Sequence, residues 1–445
     1  MSDGPREGSL EAPTRHPIDW RSDAFYDEHA LLTELERVFD ICHGCRRCFN
    51  LCNAFPTLFD AVDESDTGEL DSVPKQAYWD VVDHCYLCDM CYMSKCPYVP
   101  PHEFNVDFPH LMLRAKAKRY RDEGAPFRDR LLSDTDRIGS LAGIPVVSGV
   151  VNAANRSTAG RAVLETVLGV DRSAPVPRYH ARSARSRIQS RTDIAGGSAE
   201  PAGPTKGRVV LYTTCYGNRN TPEICEDLVA VFAHNAIPVR LASAEKCCGM
   251  PKLELGDLEA VARAKEVNIP ELARWVREGW DIVAPVPSCT LMFKQELPLM
   301  FPHDEDVRSV AAAFFDPFEY LSLRHRADKL RTDFAAGLGK VAYQVPCHLR
   351  VQNIGLKTKE LLELIPDTSV EAIERCSGHD GTYGVKTRFR QASVKIARPV
   401  MRRVEQSGAD HFISDCPMAA EQIAGGIENC TPRHPMTLLR EAYGL

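Results

Sequence analysis

The sequence is short of excess basic charge, aromatic side chains and long apolar runs. Lys plus Arg number 54 against 61 Asp plus Glu, a formal net charge of -7, so no broad nucleic-acid-binding face is expected. No stretch of 18 apolar residues occurs, which removes the simplest transmembrane helix. The nearest candidate, Ile138 to Asn155, is uncharged but holds three glycines, two serines, two asparagines and a proline. It reads as a packed or amphipathic segment. The opening MSDGPREGSL carries charge and lacks the apolar centre of a secretory signal. No G-x-G-x-x-G follows an expected strand, so no flavin or nicotinamide site is expected. Nothing resembles a helix-turn-helix or a basic effector module. The glycine-rich string GHDGTYG, residues 378–384, has no P-loop lysine.

Cysteine, in contrast, is abundant. The 445 residues hold 17, and eight of them fall between Cys42 and Cys96. Without a signal for export a disulfide framework is not expected, and clustered thiols in a reducing cytosol read first as metal ligands. The expected location is therefore cytoplasmic, with any contact at the inner face of the plasma membrane made through a partner.

A chain this long needs more than one core. Residues 1–26 are polar and read as a loose arm. Residues 27–130 form a helical, cysteine-bearing domain. Helical spacing runs from Asp27 to Asp40, Gln76 to Val82 and Phe108 to Tyr120. Residues 131–206 read as a helical connector, with helix from Arg128 to Leu168, followed by a linker. Over 171–206 there are 12 Pro, Gly or Ser and seven Lys or Arg against three acids. From residue 207 the pattern becomes βα. Strands are expected at Val209–Tyr212, Ile237–Leu241 and Ile282–Val286, and again at Val341–Val345, Val370–Ile373 and Phe412–Ser414. Two parallel βαβαβ modules, 207–335 and 336–445, follow, so the whole is α+β.

The two modules repeat in letters. GRVVLYTTC ends at Cys215 and GKVAYQVPC at Cys347; EKCCGMP carries Cys247 and Cys248, and ERCSGHD carries Cys376; VPSC ends at Cys289 and ISDC at Cys416. Each cysteine stands just after an expected strand. In a parallel sheet those ends meet at one edge, where α/β proteins place their sites.

The early cysteines are spaced like ligands of two cubanes. Cys42, Cys45, Cys48 and Cys52 run C-x2-C-x2-C-x3-C, and Cys85, Cys88, Cys91 and Cys96 run C-x2-C-x2-C-x4-C before Pro97. Three thiolates two residues apart wrap one cluster, and the fourth crosses to the other. One [4Fe–4S] cluster is therefore assigned to Cys42, Cys45, Cys48 and Cys96. The second is assigned to Cys85, Cys88, Cys91 and Cys52. Zinc sites favour two C-x2-C pairs over triplets. Arg46, Arg47 and Lys95 stand beside the ligands, as tuning charges or as solvated surface. Tyr86, Tyr92 and Tyr98 pack near the clusters or fill a small core.

These motifs together resemble the group that holds the C subunit of anaerobic glycerol-3-phosphate dehydrogenase and the D subunit of heterodisulfide reductase. The likeness rests on both octet spacings, CCGMP at 247–251, PSCTLM at 287–292, PCHLR at 346–350, CSGHDGTYGVK at 376–386 and DCPMA at 415–419. The resemblance implies a two-cluster ferredoxin-like domain followed by two CCG modules. In that family a full module supplies five cysteines, and full modules in heterodisulfide reductases hold a non-cubane cluster that works on disulfides. This chain departs twice. Met292 stands at the last cysteine position of the first module, and Ser377 and Ala419 stand at two positions of the second. The first module then offers Cys215, Cys247, Cys248 and Cys289 for a further iron–sulfur cluster. The second offers Cys347, Cys376 and Cys416, for a cluster with an open position, for zinc completed by His348 or His379, or for nothing. Asp380, Thr382 and Tyr383 are candidates to line that second site. Cys225 and Cys430 read as buried free thiols.

The expected function is an electron-transfer subunit of an oxidoreductase. Its implied partner is a flavoprotein dehydrogenase or a rubrerythrin-like di-iron protein, and its acceptor a quinone, a membrane-bound partner or a thiol-type compound. The alternatives are a self-sufficient disulfide reductase acting through Cys247 and Cys248, and a redox or iron sensor.

Overall fold

The computed structural model describes residues 13–190 and 200–445. It divides into two compact units. The first comprises the described residues up to Ala125 together with Lys252–Leu258 and Leu299–Phe301. The second comprises Pro126–Pro251, Glu259–Pro298 and Pro302–Leu445.

The first unit is helical. Its helices are Glu28–Cys45, Ala54–Asp63, Lys75–His84 and Phe108–Glu123, the first and last of which start at side-chain caps. Asp27 accepts from the Ala30 N–H at 2.7 Å and Asp107 from the His110 N–H at 3.1 Å, each satisfying an orphan donor of a first turn. Apolar residues at helical spacing then share one core: Leu31, Leu35, Val38 and Phe39 face Phe55, Leu58, Phe59, Tyr78, Val81 and Phe108. Phe39 meets Tyr78 edge-on at 5.1 Å, and Phe55 lies 4.7 Å from Phe108. Each such side chain contributes about 1.5–3 kcal/mol by leaving water. Where the sequence alone suggests a loose arm, residues 14–22 pack into this unit. Trp20 is 2% exposed and donates to the Met300 carbonyl at 3.0 Å.

The second unit contains two parallel four-stranded sheets of identical topology. The first has β1 (Val209–Leu211), β2 (Val239–Leu241), β3 (Asp281–Val283) and β4 (Phe314–Phe315), in the order β2-β1-β3-β4. The second has β5 (Gly339–Gln344), β6 (Thr368–Ile373), β7 (His411–Ile413) and β8 (Pro432–Arg433), in the order β6-β5-β7-β8. Val209 lies opposite Val239 and Asp281; Val341 lies opposite Val370 and His411. The repeat read in letters is thus a repeat in register. Each sheet has one strand more than the three per module expected. The fourth strands are two residues long, below what an apolar-run search detects, and each leads into a helix that opens with proline, Pro317 or Pro435. Asp316 closes a capping box with Glu319 at the first of these.

One continuous apolar core joins the modules, running from Val209, Leu211 and Phe232 through Val341, Tyr343 and Leu361 to Met436 and Leu439. The last helix, Pro435–Ala442, closes onto the helix Pro222–His234: Thr437 donates to Asp227 at 2.6 Å and Arg440 pairs with it at 2.7 Å. The stretch Arg128 to Leu168, read as continuous helix, is four helices: Phe127–Leu132, Thr135–Ala142, Pro145–Arg156 and Thr158–Leu168. Asp134, Pro145 and Ser157 each start a new one through a cap or a fixed φ. Among the described residues no single helix is long and apolar enough to cross a membrane. The pair Thr135–Ala142 and Pro145–Arg156 reaches the length together, but bends by 105°.

Candidate metal centres

The first unit gathers its eight cysteines into two adjoining groups. Cys42 and Cys45 end the helix Glu28–Cys45, where Arg46 turns left-handed at φ 52° and redirects the chain toward Cys48. Cys42, Cys45, Cys48 and the sequence-distant Cys96 line one cavity with Phe55, Phe59 and Tyr98. Burial, then the neighbouring Cys96, Cys48 and Cys45, push the Cys42 thiol well up; burial and Cys96 raise Cys48 to about 12. Partly buried thiols such as Cys42 and Cys48, which resist ionisation beside their neighbours, fit a cationic iron core that would keep them as thiolates.

Cys91 faces the second group. Burial raises it well up, followed by Cys48, Cys88, Cys85 and Cys52. Cys96 thus shares the first cavity with Cys42, Cys45 and Cys48, while Cys52 lies among the neighbours of Cys91 together with Cys48, Cys88 and Cys85. Leu87 and Asp89 take left-handed conformations between the ligands, φ 54° and 61°, and coil the loop around its centre. Arg15 pins that loop. Its guanidinium bonds Asp89 at 2.7 and 2.9 Å and Asp107 at 3.0 and 3.2 Å, and lies 4.5 Å from the centre of the Tyr92 ring. Lys116 bonds the Cys85 carbonyl; burial lifts Cys85 to about 12 against the pull of that ammonium. Neither Arg15 nor Lys116 stands out in the sequence, since both lie far along the chain from their loop.

In the first module of the second unit, four cysteines converge at strand ends. Cys215 follows β1, on a turn where Thr214 is held at φ 63°; its hydroxyl accepts from the Gly217 N–H at 2.9 Å. A β-branched residue in that region stores about 1–3 kcal/mol of strain, and the turn aims Cys215 at the sheet edge. Cys215 and Cys247 sulfurs are 4.0 Å apart. Cys248 interacts with both Cys247 and Cys289, and all four thiols are buried or nearly so. The connector also reaches this site. Asp136 accepts the Cys247 N–H at 2.8 Å, and the Thr135 hydroxyl faces the Cys215 and Cys247 sulfurs. Burial, more than any neighbour, raises the Asp136 carboxyl. Cys225 is fully buried and donates to the Thr213 carbonyl at 3.7 Å, which makes it packing.

The second module places Cys347, Cys376 and Cys416 around one pocket with His348, His379, Asp380, Ser377, Ala419 and, from the first module, Ser288. Gly378 makes the turn possible: at φ 67° its added Cβ would stand 2.2 Å from the Ser393 carbonyl oxygen. Burial, then Asp380, outweighs the Ala419 and Met418 amides at Cys416 and lifts its thiol to about 12. Burial and then Arg390 lower His379 to about 4, so its imidazole is neutral and able to ligate. Tyr383 is buried against Phe389, 4.7 Å away, and Cys430 is partly buried near the tail. Among the described residues no three Cys, His, Asp or Glu side chains close on a single ion-sized point.

A family model described as a cysteine-rich domain, CCG, matches residues 209–294 and again 341–423. Each match falls on one of the two sheets, so each module resembles that cysteine-rich domain. Over 344 residues it is 29% identical to the C subunit of anaerobic glycerol-3-phosphate dehydrogenase from Escherichia coli K12, covering 76% of this chain and 82% of that protein. It is 25% identical over 241 residues to the B subunit of fumarate reductase (CoM/CoB) from Methanothermobacter marburgensis, covering 53% and 45%. It is 28% identical over 218 residues to lactate utilization protein A of Bacillus pumilus, covering 47% and 87%. The two cysteine-rich domain matches and these relatives support an iron–sulfur, electron-transfer role in an oxidoreductase.

Proposed function

We propose that this chain relays electrons between a dehydrogenase-type partner and a quinone or thiol-type acceptor through two [4Fe–4S] clusters and its CCG sites. The observation that carries the reading is that Cys42, Cys45, Cys48 and Cys96 line one cavity while Cys85, Cys88 and Cys52 neighbour Cys91. Cys42, Cys45, Cys48 and Cys96 hold one cluster; Cys85, Cys88, Cys91 and Cys52 hold the other. Cys91 lies against Cys48 as well as its own quartet, so the two centres neighbour each other. When bound, such clusters carry single electrons over short distances. The protein's part is to bury the thiolates, exclude water with Phe55 and Phe59, and set potentials with Lys95, Arg47 and Lys116.

In the first CCG domain Cys215, Cys247, Cys248 and Cys289 hold a further cluster. In the second, Cys347, Cys376 and Cys416 hold a metal centre whose remaining donor is a histidine. Two-electron chemistry then belongs to the partner, a flavoprotein dehydrogenase or a di-iron protein, and any membrane contact is peripheral. Anaerobic purification with iron and sulfide counts and EPR tests this. About eight iron atoms per chain means the ferredoxin-like quartets alone are filled, and about twelve or more means a CCG site is filled too. An iron-free chain from iron-replete cells would overturn the proposal.

A further inference from the structure

The two CCG domains correspond residue by residue at their strand ends, which shows what the second has exchanged. Cys347, Cys376 and Cys416 take the places of Cys215, Cys247 and Cys289. Ser377 replaces Cys248, Ala419 replaces Met292, His348 replaces Tyr216 and His379 replaces Met250. Ser377 does not substitute as a donor; its hydroxyl turns back to accept the His379 N–H at 3.4 Å.

His348 has the posture of a metal ligand. It follows Cys347 directly, on the first turn after β5, and is 6% exposed. Its Nδ1 lies 3.0 Å from the Ser288 hydroxyl. Its Nε2 is buried in the pocket without a hydrogen-bond partner, and stands 3.9 Å from Asp380 Oδ1. A buried imidazole nitrogen left unmet is destabilising, and ligating histidines characteristically give their other nitrogen to an orienting partner. With Nδ1–H donated to Ser288, Nε2 keeps its lone pair inside the pocket that Cys347, Cys376 and Cys416 also line. His379 lines the same pocket, but neither of its nitrogens is held, so nothing fixes its ring or tautomer. Its counterpart Met250 is a packing residue, 4% exposed.

We propose that His348 Nε2 is the fourth protein ligand of the second CCG centre. With Cys347, Cys376 and Cys416 it completes the donor set of an iron–sulfur cluster, and Ser288 is its positioning residue. Ser288 belongs to the first domain and directly precedes Cys289. The ligand of one centre is thereby held by the neighbour of a ligand of the other, so a change in packing at either centre reaches its twin through a single hydrogen bond. The inference rests on the iron–sulfur reading above.

The test uses the full chain, purified anaerobically from cells supplied with 15N-histidine, and pulsed EPR of the reduced protein. The wild type shows a nitrogen coupling to one cluster. His348→Ala loses it and develops a three-iron type signal on oxidation; His379→Ala keeps the coupling. His348→Cys restores retention of iron without the nitrogen coupling, which separates ligation from folding. Ser288→Ala keeps the cysteines but loses iron from this centre to a chelator about 10–100 times more readily. Absence of nitrogen coupling in the wild type, its survival in His348→Ala, its loss in His379→Ala alone, or zinc at this centre would overturn the assignment. Protein that holds about eight or more iron atoms yet shows no such coupling leaves the relay reading standing. Iron-free protein removes both.

Discussion

The two CCG domains share strand order, register and cysteine placement, yet they differ in what they hold at the sheet edge. The first presents four thiols, three of them buried, beside apolar neighbours such as Met250 and Met292. The second presents three thiols and a largely buried polar wall of His348, His379 and Asp380. Duplication preserved the scaffold because the scaffold is backbone: parallel pairing, a turn after each first strand, and a left-handed glycine after each second one, Gly249 and Gly378. Donor identity is carried by side chains at that edge and could diverge without disturbing the core. A fold can thus keep one geometry and offer two chemistries.

The largest test exchanges the donor sets. Cys248→Ser gives the first domain the serine of the second and should remove about four iron atoms per chain, or leave them open to chelation. Ser377→Cys should do the opposite, retaining iron in the second domain even when His348 is replaced. Iron counts and EPR on both variants check this. Equal iron in Cys248→Ser and wild type would mean that the comparison of donors is misdrawn. If the first centre also reduces disulfides, Cys248→Ser abolishes that activity while dye-linked electron relay through the early clusters continues.

Next in size is the glycine pair. Gly378→Ala brings a Cβ to 2.2 Å from the Ser393 carbonyl oxygen, on backbone that cannot yield; at Gly249 the nearest atom is a Val261 methyl at 3.3 Å. Both positions are left-handed, but only the second domain adds a backbone clash. Denaturant unfolding should show a loss of about 3 kcal/mol or more for Gly378→Ala, against about 1–2 kcal/mol for Gly249→Ala. Comparable losses would show that the two turns are equally tight.

Asp136 marks a smaller asymmetry. It reaches the first centre from outside the CCG domain and bonds the Cys247 N–H, so its carboxylate stands beside one centre. Asp136→Asn should raise the potential of that centre by on the order of tens of millivolts, leave the second unmoved, and be reversed by Asp136→Glu. Potentiometric EPR titration reads this.

Much of this was legible in sequence and some was not, for physical reasons. Six of the eight strands announce themselves as apolar runs. Phe314–Phe315 and Pro432–Arg433 are too short, and proline in the last hides it further. The long connector helix breaks at Asp134, Pro145 and Ser157, which read individually as polar or tolerated residues but together act as caps. The interleaving of Cys52 and Cys96 is an expectation from spacing, because three thiolates on one loop leave the fourth to come from elsewhere. Arg15, Lys116, Thr135, Asp136 and Ser288 carry no local signature. Each acts at a site tens of residues away or more, a contact that only folding creates.

The smallest effect separates the domains by pH. Asp281 opens β3 where His411 opens β7, the same register position in each sheet. Burial raises the Asp281 carboxyl to about 6, more than the Lys206 amide and the Tyr320 hydroxyl at 3.2 Å can offset. An acid whose folded pKa lies above its unfolded value holds its proton more tightly when folded. Its contribution to stability is therefore full below about pH 4 and is lost as pH rises toward 6. Asp281→Asn should flatten that slope in denaturant unfolding followed from pH 4 to 7, with the difference between variant and wild type growing across the window and constant above it. A slope unchanged by the substitution would mean that the first sheet tolerates a buried charge at its edge as readily as the second tolerates a histidine.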